Sequence, residues 1–389
     1  MKYNFDEVVN RWGTDSIKYD GPKEDMGSKP YIPMWVADMD FKTPEPIVES
    51  IQEALEQGVL GYTKPSAEWA PAIQHWLKTQ HKWEVAADEL IYTPGIVRGL
   101  TFVLRCFTQH QDKVLIMSPV YPPFTRVPEL NERQVVRHSL RLEAGQYEVD
   151  WEQLAVDMKG CKLFILCNPH NPGGRVWRPE ELQKIAELAQ ENNTLVISDE
   201  IHADLSLPAY PHTSYATVSS SAAQNAIVFM SPSKAFNMPG LGSAYAIIQN
   251  ADLRQAYQSY VEALDMESGH MFSYSPLVAA YTLCEDWLPQ LLPYLQANID
   301  YVEEFLASHC PRIQMIKPQA SYLIFLDCRA LKLTDEELDQ FFRDQAGLIL
   351  NPGISFGPEG SGFMRLNIGC PKSTLETAMR QLAQAYQAL

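Results

Sequence analysis

A lysine at the end of an apolar run is the first residue whose position could do chemistry. Lys234 follows the strand-like run AIVFM and lies in the segment SPSKAFNMPGL, between serines and a Gly- and Pro-containing stretch. A lysine is rarely buried without a partner. A desolvated lysine amine, however, can form a Schiff base with a carbonyl. The sequence therefore leaves two interpretations, a solvated lysine and a carbonyl-capturing amine.

Two further polar features follow predicted strands. TPGIVRG opens a predicted helix, and the free backbone N–H groups at the start of that helix could bind an anion such as a phosphate. An ordinary strand–helix turn is the alternative for this segment. Asp199 ends the apolar run TLVISD, where a buried carboxylate requires a charged or hydrogen-bonding partner. A protonated heterocyclic nitrogen, an arginine or a helix cap would each serve.

Two Pro-rich loops add a hydrogen-bond donor, Asn171, and a flat aromatic ring, Tyr121. Each of these residues alone is more often a turn or packing residue than a ligand contact. Together, a phosphate site, a buried aspartate, a stacking aromatic and a Schiff-base lysine indicate pyridoxal phosphate (PLP). The aspartate would keep the ring nitrogen of this cofactor protonated, and the lysine would hold its aldehyde.

The elements that must position these residues alternate between strands and amphipathic helices. This alternation indicates an α/β layer with a mostly parallel sheet buried on both faces. We predict seven strands, at residues 89–93, 113–118, 134–140, 162–167, 194–199, 226–230 and 243–248.

Five polar clusters directly follow predicted strands: TPGIVRG, SPVYPPF, NPHNPGGR, Asp199–Glu200 and SPSK. In an open α/β sheet, ligands bind beyond the carboxyl ends of the strands. The sequence therefore predicts that all five clusters meet at one edge of the sheet and form one site.

The pattern changes after about residue 250. A long helical stretch is predicted to about residue 308, followed by a smaller α+β unit with strands at 321–327 and 363–369. We therefore expect a large cofactor-binding domain over 46–285 and a small domain over 286–389. The N-terminal arm, 1–45, shows no obvious core element and is predicted to pack with the small domain.

Composition excludes several classes of partner. Lys plus Arg is 31 and Asp plus Glu is 48, so the net charge of −17 argues against a nucleic-acid or anionic-membrane surface. No apolar stretch approaches the ~18 residues typical of a membrane span. The seven scattered cysteines contain no CxxC pair and predict reduced thiols rather than disulfides or a metal site. With no signal-peptide pattern at the start, we expect a cytoplasmic protein.

The chain as a whole resembles the fold-type I PLP enzymes of the class I/II aminotransferase family, and within it the MalY/PatB-type cystathionine β-lyase branch. The matching segments run in order from residue 33 to 369: PMWVADMDF, GYT, TPGIVRG, SPVYPPF, CNPHNPGGRVW, ISDEIHADL, SPSKAFNMPGL and NPGISFGPEGSGFMRLNIG. WVADMDF, NPHNPGGR and SDEIHADL are typical of this branch, whereas the Asp and Lys motifs are shared by the whole superfamily.

The resemblance implies a role for each matched residue around the cofactor ring. Lys234 forms the covalent link to PLP, and Asp199 pairs with the pyridine nitrogen. Asn171 donates toward the ring 3-oxygen, and Tyr121 stacks on the ring and joins Lys234 as a catalytic residue. His202 lies at the edge of the cofactor, at a position where many aminotransferases have a tyrosine.

The resemblance also implies phosphate and substrate contacts. Ser231 and Ser233, with the N–H groups of Gly95, Ile96 and Val97, hold the phosphate. Tyr62 reaches the phosphate and substrate of the neighbouring subunit, which implies a homodimer with shared active sites. Arg365 binds the substrate carboxylate, and Val36 and Ala37 contact the substrate. Gly242 stands where many relatives carry a phosphate-binding arginine, and Ala320 and Phe325 replace the Gly and Trp expected in this branch.

The reaction implied is the elimination of a thiol from L-cystathionine, L-cysteine or another amino acid with a β-thio substituent, giving pyruvate and ammonia. Two alternatives stay open. An aminotransferase would use the same carbanion but reprotonate it at the cofactor. A regulatory binding protein could use the same scaffold, because a fold does not fix a function.

Overall fold

The computed structural model of the protein describes residues 2–27 and 29–389. Thirteen α-helices lie within these two ranges. They are α1 (Lys23–Met26), α2 (Glu45–Glu56), α3 (Trp69–His81), α4 (Ile96–Phe107), α5 (Pro123–Leu130), α6 (Trp151–Asp157), α7 (Pro179–Asn192), α8 (Ser220–Gln224), α9 (Ala251–Ala263), α10 (Ser275–Leu283), α11 (Trp287–His309), α12 (Asp335–Gln340) and α13 (Lys372–Gln387).

Fifteen short strands accompany them in the same described ranges. They are β1 (Ile32–Pro33), β2 (Leu90–Thr93), β3 (Lys113–Ser118), β4 (Gln134–Ser139), β5 (Arg141–Glu143), β6 (Gln146–Glu148), β7 (Cys161–Cys167), β8 (Leu195–Asp199), β9 (Ala226–Met230), β10 (Ala244–Ile247), β11 (Gln314–Ile316), β12 (Leu323–Asp327), β13 (Leu348–Ile349), β14 (Asn351–Pro352) and β15 (Phe363–Asn367).

A seven-stranded sheet forms the centre of the large unit, in the order β2–β10–β9–β8–β7–β3–β4. The strands β4, β3, β7, β8 and β9 run parallel to one another, whereas β10 is antiparallel to both of its neighbours. The predicted mostly parallel sheet is therefore confirmed, with each of the seven strands close to its predicted range. Apolar side chains cover both faces of this sheet, as expected for parallel strands that read as continuous apolar runs.

The direction of β2 decides at which edge of the sheet the segment TPGIVRG lies. Since β2 and β9 are both antiparallel to β10, they point the same way, and so do β8, β7 and β3. The carboxyl ends of these five strands therefore lie along one edge. This places TPGIVRG, SPVYPPF, NPHNPGGR, Asp199 and SPSK beside one another, as the sequence predicted.

A smaller unit contains the antiparallel sheet β11–β12–β15–β14. In its register Phe325 of β12 lies opposite Arg365 of β15, and Asn351 of β14 lies opposite Arg365 on the other side. The helical stretch predicted between about residues 250 and 308 contains three separate helices. It is broken into α9, α10 and α11, with α9 separated from α10 by residues 264–274.

The N-terminal arm, in which the sequence shows no obvious core element, nevertheless contributes buried side chains. Phe5, Met34, Met39 and Phe41 are buried, and β1 pairs with β13 of the small unit. The ring of Phe5 lies 5.1 Å from the ring of Trp287, at the start of α11. These residues lie mostly in irregular backbone, so their spacing shows neither a helical nor a strand period in the sequence. The proposed domain limits at 45/46 and 285/286 fall at the start of α2 and just before α11.

Among the described helices, none combines the length and the apolarity needed to cross a membrane.

Candidate active site

A cavity of about 480 Å³ lies at the carboxyl edge of the seven-stranded sheet, where the small unit and residues 36–37 close over it. Of the residues predicted for the site, it brings together all except Tyr62. Its lining contains Val36, Ala37, Gly95, Ile96, Val97, Tyr121, Asn171, Asp199, His202, Ser231, Ser233, Lys234 and Arg365.

Lys234 lies in the turn that follows β9, and its amine enters this cavity. The Nζ atom donates a hydrogen bond to the carbonyl oxygen of Ala37 at 2.6 Å. Burial and the nearby charge of Arg365 lower the pKa of Lys234 to about 8. A substantial fraction of this amine is therefore neutral, and available as a nucleophile or base, in mildly alkaline solution.

Asp199 is the last residue of β8 and is buried. One of its oxygens accepts a hydrogen bond from the Ile201 N–H at 3.1 Å. Burial raises the pKa of Asp199 to about 7, and the nearby Lys234 charge offsets only part of this. A carboxyl group with a raised pKa, at a cavity wall, is suited to a cationic partner that would restore its charge.

Arg365 is the most unusual charged group of the site. It lies in β15 and is buried, and no carboxylate of the described residues lies within ion-pair distance of its guanidinium. Its hydrogen-bond acceptors are all uncharged: Asn171 Oδ1 at 3.0 Å, Trp35 O at 3.1 Å and Asn351 Oδ1 at 2.7 Å. Burial lowers the pKa of Arg365 to about 10. Arg365 therefore makes no salt bridge within the described residues, and the site is suited to an external carboxylate.

Asn171 and Tyr121 are held together by the backbone. The Tyr121 N–H donates to the Asn171 carbonyl oxygen at 3.1 Å, which fixes the two loops relative to each other. Since the side-chain oxygen of Asn171 accepts from Arg365, its NH₂ group is left as the donor for another partner. Tyr121 is partly buried at the cavity wall, and burial raises the pKa of its hydroxyl group.

His202 is buried at the same edge, and its Nδ1 has no hydrogen-bond partner among the described residues. Burial, together with the charges of Lys234 and Arg365, lowers its pKa to about 3. The ring is therefore neutral, so it can donate or accept one hydrogen bond at the wall of the cavity but does not supply a cation.

The opposite end of the cavity is built from the start of α4 and the turn after β9. The N–H groups of Ile96 and Val97 lie in the first turn, where no acceptor within the helix can reach them. The Gly95 N–H instead donates to Thr93 O at 2.8 Å, so a phosphate contact from this group would be shared with that carbonyl. Ser231 Oγ lies 2.7 Å from Ser233 Oγ and accepts from the Ser233 N–H at 3.1 Å.

Sequence reasoning missed how residues 36–40 are fixed over the cavity. The Ala37 carbonyl oxygen accepts from Tyr322 Oη at 2.9 Å as well as from Lys234. Asp38 and Asp40 are held by ion pairs with Arg11 at 2.8 Å each, and Lys18 contacts Asp40 at 2.9 Å. Tyr322 reads in the sequence as one more apolar strand residue, so only its buried hydroxyl group marks it out.

Tyr62 lies outside the cavity. Its side chain is fully exposed and belongs to residues 58–66, which form neither helix nor strand. Val59 and Leu60 in the same segment are also strongly exposed. An exposed apolar segment of this kind is typical of a protein–protein contact.

The chemistry of the donor set fits PLP. It contains an amine for the aldehyde, a buried carboxyl for a protonated ring nitrogen, an amide NH₂ for the ring oxygen and free N–H groups at a helix start for the phosphate. A family model for aminotransferase class I and II matches residues 29–382. The chain belongs to this family.

Curated relatives are similar over the whole length. The chain is 39% identical to the cystathionine beta-lyase PatB of Bacillus subtilis strain 168, over 98% of this chain and 99% of PatB. It is 34% identical to the protein MalY of Escherichia coli K12, over the full length of both chains. Among solved structures, the PLP-containing cystalysin of Treponema denticola matches all of both chains with a TM-score of 0.97 and 32% identity.

Proposed function

We propose that the protein is a PLP-dependent carbon–sulfur β-lyase that removes a thiol from an L-amino acid such as cystathionine or cysteine. Cystathionine and water would give homocysteine, pyruvate and ammonia. The observation that supports amino-acid chemistry at PLP is a buried arginine with no carboxylate partner among the described residues, in one cavity with a lysine whose pKa is lowered. The similarity to relatives named cystathionine beta-lyase favours this reaction within the family.

Arg365 would bind and orient the substrate. An α-amino acid presents a carboxylate, and a guanidinium that is already buried among uncharged acceptors gains a full charge-assisted contact from it. Three protein acceptors, at Asn171, Trp35 and Asn351, hold the guanidinium plane in place before the substrate arrives. The Cα–H bond of the substrate would thereby be held in one orientation relative to Lys234.

Lys234 would act as the general base at the substrate α-carbon. Its lowered pKa of about 8 gives a neutral amine near operating pH, and a base is most effective when its pKa lies near that pH. The Ala37 carbonyl oxygen, 2.6 Å from Nζ, holds the amine at the cavity wall between proton transfers. When bound, PLP supplies a protonated ring that accepts the electrons released at the α-carbon.

Asp199, Asn171, His202 and Tyr121 would set the environment of that ring. The carboxyl of Asp199 would become a carboxylate beside a protonated nitrogen, because the partner charge stabilises the ionised form and offsets the burial that raises its pKa. The NH₂ group of Asn171 is free to donate because its oxygen is engaged by Arg365. Tyr121 at the cavity wall offers a flat ring for stacking.

An aminotransferase is the competing function on the same residues. Both reactions need Lys234, Asp199 and Arg365, so these residues do not separate them. The test is a panel of L-cystathionine, L-cysteine, S-methyl-L-cysteine and L-alanine, assayed for pyruvate, ammonia and thiol with no keto acid present. A β-lyase forms pyruvate continuously from the three sulfur compounds and not from alanine, which has no leaving group. Reaction that requires an added keto acid would identify an aminotransferase.

We also propose a homodimer in which Tyr62 enters the active site of the neighbouring subunit. The exposure of Tyr62, Val59 and Leu60 in an irregular segment supports this arrangement.

The acidic composition and reduced cysteines expected from the sequence support a cytoplasmic location.

A further inference from the structure

The phosphate end of the cavity has neutral donors but no assigned cation. The N–H groups of Ile96 and Val97 and the hydroxyl group of Ser233 can donate hydrogen bonds to an anion, whereas the Ser231 hydroxyl group donates to the Ser243 carbonyl oxygen at 2.6 Å. The phosphate of PLP, however, carries close to two negative charges. The two cations already assigned, Lys234 and Arg365, have other roles.

One further charged residue lines this cavity, and it is Arg98. It is the third residue of α4. The amino-terminal end of a helix carries a partial positive charge, so a cation in the first turn is unfavourable unless an anion lies beside it. Among the described residues, no carboxylate pairs with Arg98, and its hydrogen bond is made to the Pro94 carbonyl oxygen at 2.9 Å.

The side chain of Arg98 and the glycine at position 242 lie beside the same backbone carbonyl group at the rim of the cavity. A Cβ added to Gly242 would have the Pro94 carbonyl oxygen as its nearest neighbour, at 3.7 Å. The same carbonyl oxygen accepts from Arg98 Nη1 at 2.9 Å. A side chain at 242 and the side chain of Arg98 would therefore meet at one atom, at the rim of the same cavity.

We propose that Arg98 supplies the cation that binds the phosphate of PLP. The guanidinium has several N–H donors, so two of them can face the phosphate while another keeps its hydrogen bond to Pro94. Arg98 would thereby add a cation to the neutral N–H donors of Ile96 and Val97. Arg98 is thus a cofactor-binding residue of α4, and no step of the reaction passes through it.

The test compares PLP with pyridoxal, which lacks the phosphate. The full-length protein is stripped of cofactor and titrated with each compound, and the absorbance of the Lys234-linked chromophore gives the two dissociation constants. For Arg98→Gln, affinity for PLP should fall tenfold or more, whereas affinity for pyridoxal should stay within about twofold. Arg98→Lys keeps a cation and should lose less affinity for PLP than Arg98→Gln.

The matched control is Arg105→Gln. Arg105 is the exposed basic residue in the last turn of the same helix, far from the phosphate end, and its loss should leave both dissociation constants unchanged. If Arg98→Gln weakens PLP and pyridoxal equally, or weakens neither, Arg98 does not bind the phosphate. If Arg98→Lys is as weak as Arg98→Gln, charge at this position is not what PLP requires. The measurement concerns cofactor affinity alone, so its outcome is independent of whether the enzyme eliminates thiols.

Discussion

The guanidinium of Arg365 donates to the side-chain oxygen of Asn171 at 3.0 Å, although the two residues are 194 positions apart. This contact joins the residue expected to bind substrate to the residue expected to bind the cofactor. It also fixes which end of the Asn171 amide remains available as a donor. We therefore expect substrate and cofactor recognition to be coupled through this hydrogen bond.

Replacing Arg365 by lysine should not behave as a conservative change. Lysine keeps the charge but loses the planar fork that contacts Asn171, Trp35 and Asn351. We expect kcat/KM for cystathionine to fall tenfold or more, in line with about 1.5–3 kcal/mol for a hydrogen bond to a charged group. Bound PLP, measured by absorbance, should stay near normal.

The control for this substitution is Arg329→Lys, because Arg329 lies on the surface in an ion pair with Asp327. It should leave kcat/KM unchanged. An Arg365→Lys protein that misfolds or loses PLP, while its remaining active fraction has normal kinetics, would show that the arginine is structural.

The cofactor-free protein should lose stability between about pH 4 and pH 7 because of Asp199. Its pKa is raised from 3.8 to about 7 by burial, so the folded state holds a proton that the unfolded state releases. The stabilisation is complete below pH 3.8 and is lost as the pH rises through 7. From pH 5 to pH 8 this group alone should lower the free energy of unfolding by about 2–3 kcal/mol.

Urea unfolding of the cofactor-free protein and of Asp199→Asn at both pH values isolates this contribution. The difference in unfolding free energy between the two proteins should shift with pH in the stated direction. A difference that does not depend on pH would mean that Asp199 is not protonated in the folded protein. In the PLP-bound protein the shift should shrink, since a protonated ring nitrogen keeps the carboxylate charged.

Tyr322 is expected to position Lys234 indirectly. Its hydroxyl group donates to the Ala37 carbonyl oxygen, which also accepts from the Lys234 amine. Removing it in Tyr322→Phe should lower kcat by about fivefold, since one hydrogen bond contributes roughly 1 kcal/mol. KM and PLP content should change little. The control is Tyr245→Phe, which removes a buried hydroxyl group that contacts Tyr281. This variant should leave kcat unchanged. Equal losses of kcat in both variants would indicate a general effect of buried hydroxyl groups.

Mixed dimers test whether Tyr62 acts across a subunit interface. Tyr62→Ala and Lys234→Ala should each be nearly inactive, because each removes one residue from both sites. After subunit exchange, one of the two sites in a mixed dimer would contain both intact residues, and part of the activity should return. Verified mixed dimers without activity would place Tyr62 in the site of its own subunit or outside any site.

The sequence was sufficient to predict the sheet and to single out several candidate site residues because both leave local signals. Strands such as β3 and β9 are short apolar runs, and their bounds at 113–118 and 226–230 match the predicted ones. Lys234 and Asp199 were found because charged residues at the ends of apolar strands are rare. The rule that parallel strands end at one edge then placed them together.

The partners of these residues could not be predicted in the same way. The acceptors of Arg365 come from residues 35, 171 and 351, and no local pattern records that these segments meet. Ala37 contributes a backbone carbonyl, which is the same atom in every residue type. Tyr322 reads as a buried aromatic in a strand-like stretch, and the contact of its hydroxyl group with Ala37 spans 285 residues.

The most direct test of the account is the product balance from L-cystathionine with no keto acid present. The wild-type protein should form pyruvate, ammonia and homocysteine in a 1:1:1 ratio over many turnovers for each active site, and Lys234→Ala should form none of them. If wild-type turnover instead stops after about one equivalent of cystathionine per active site and resumes when a keto acid is added, the enzyme is an aminotransferase and the proposed β-elimination is wrong.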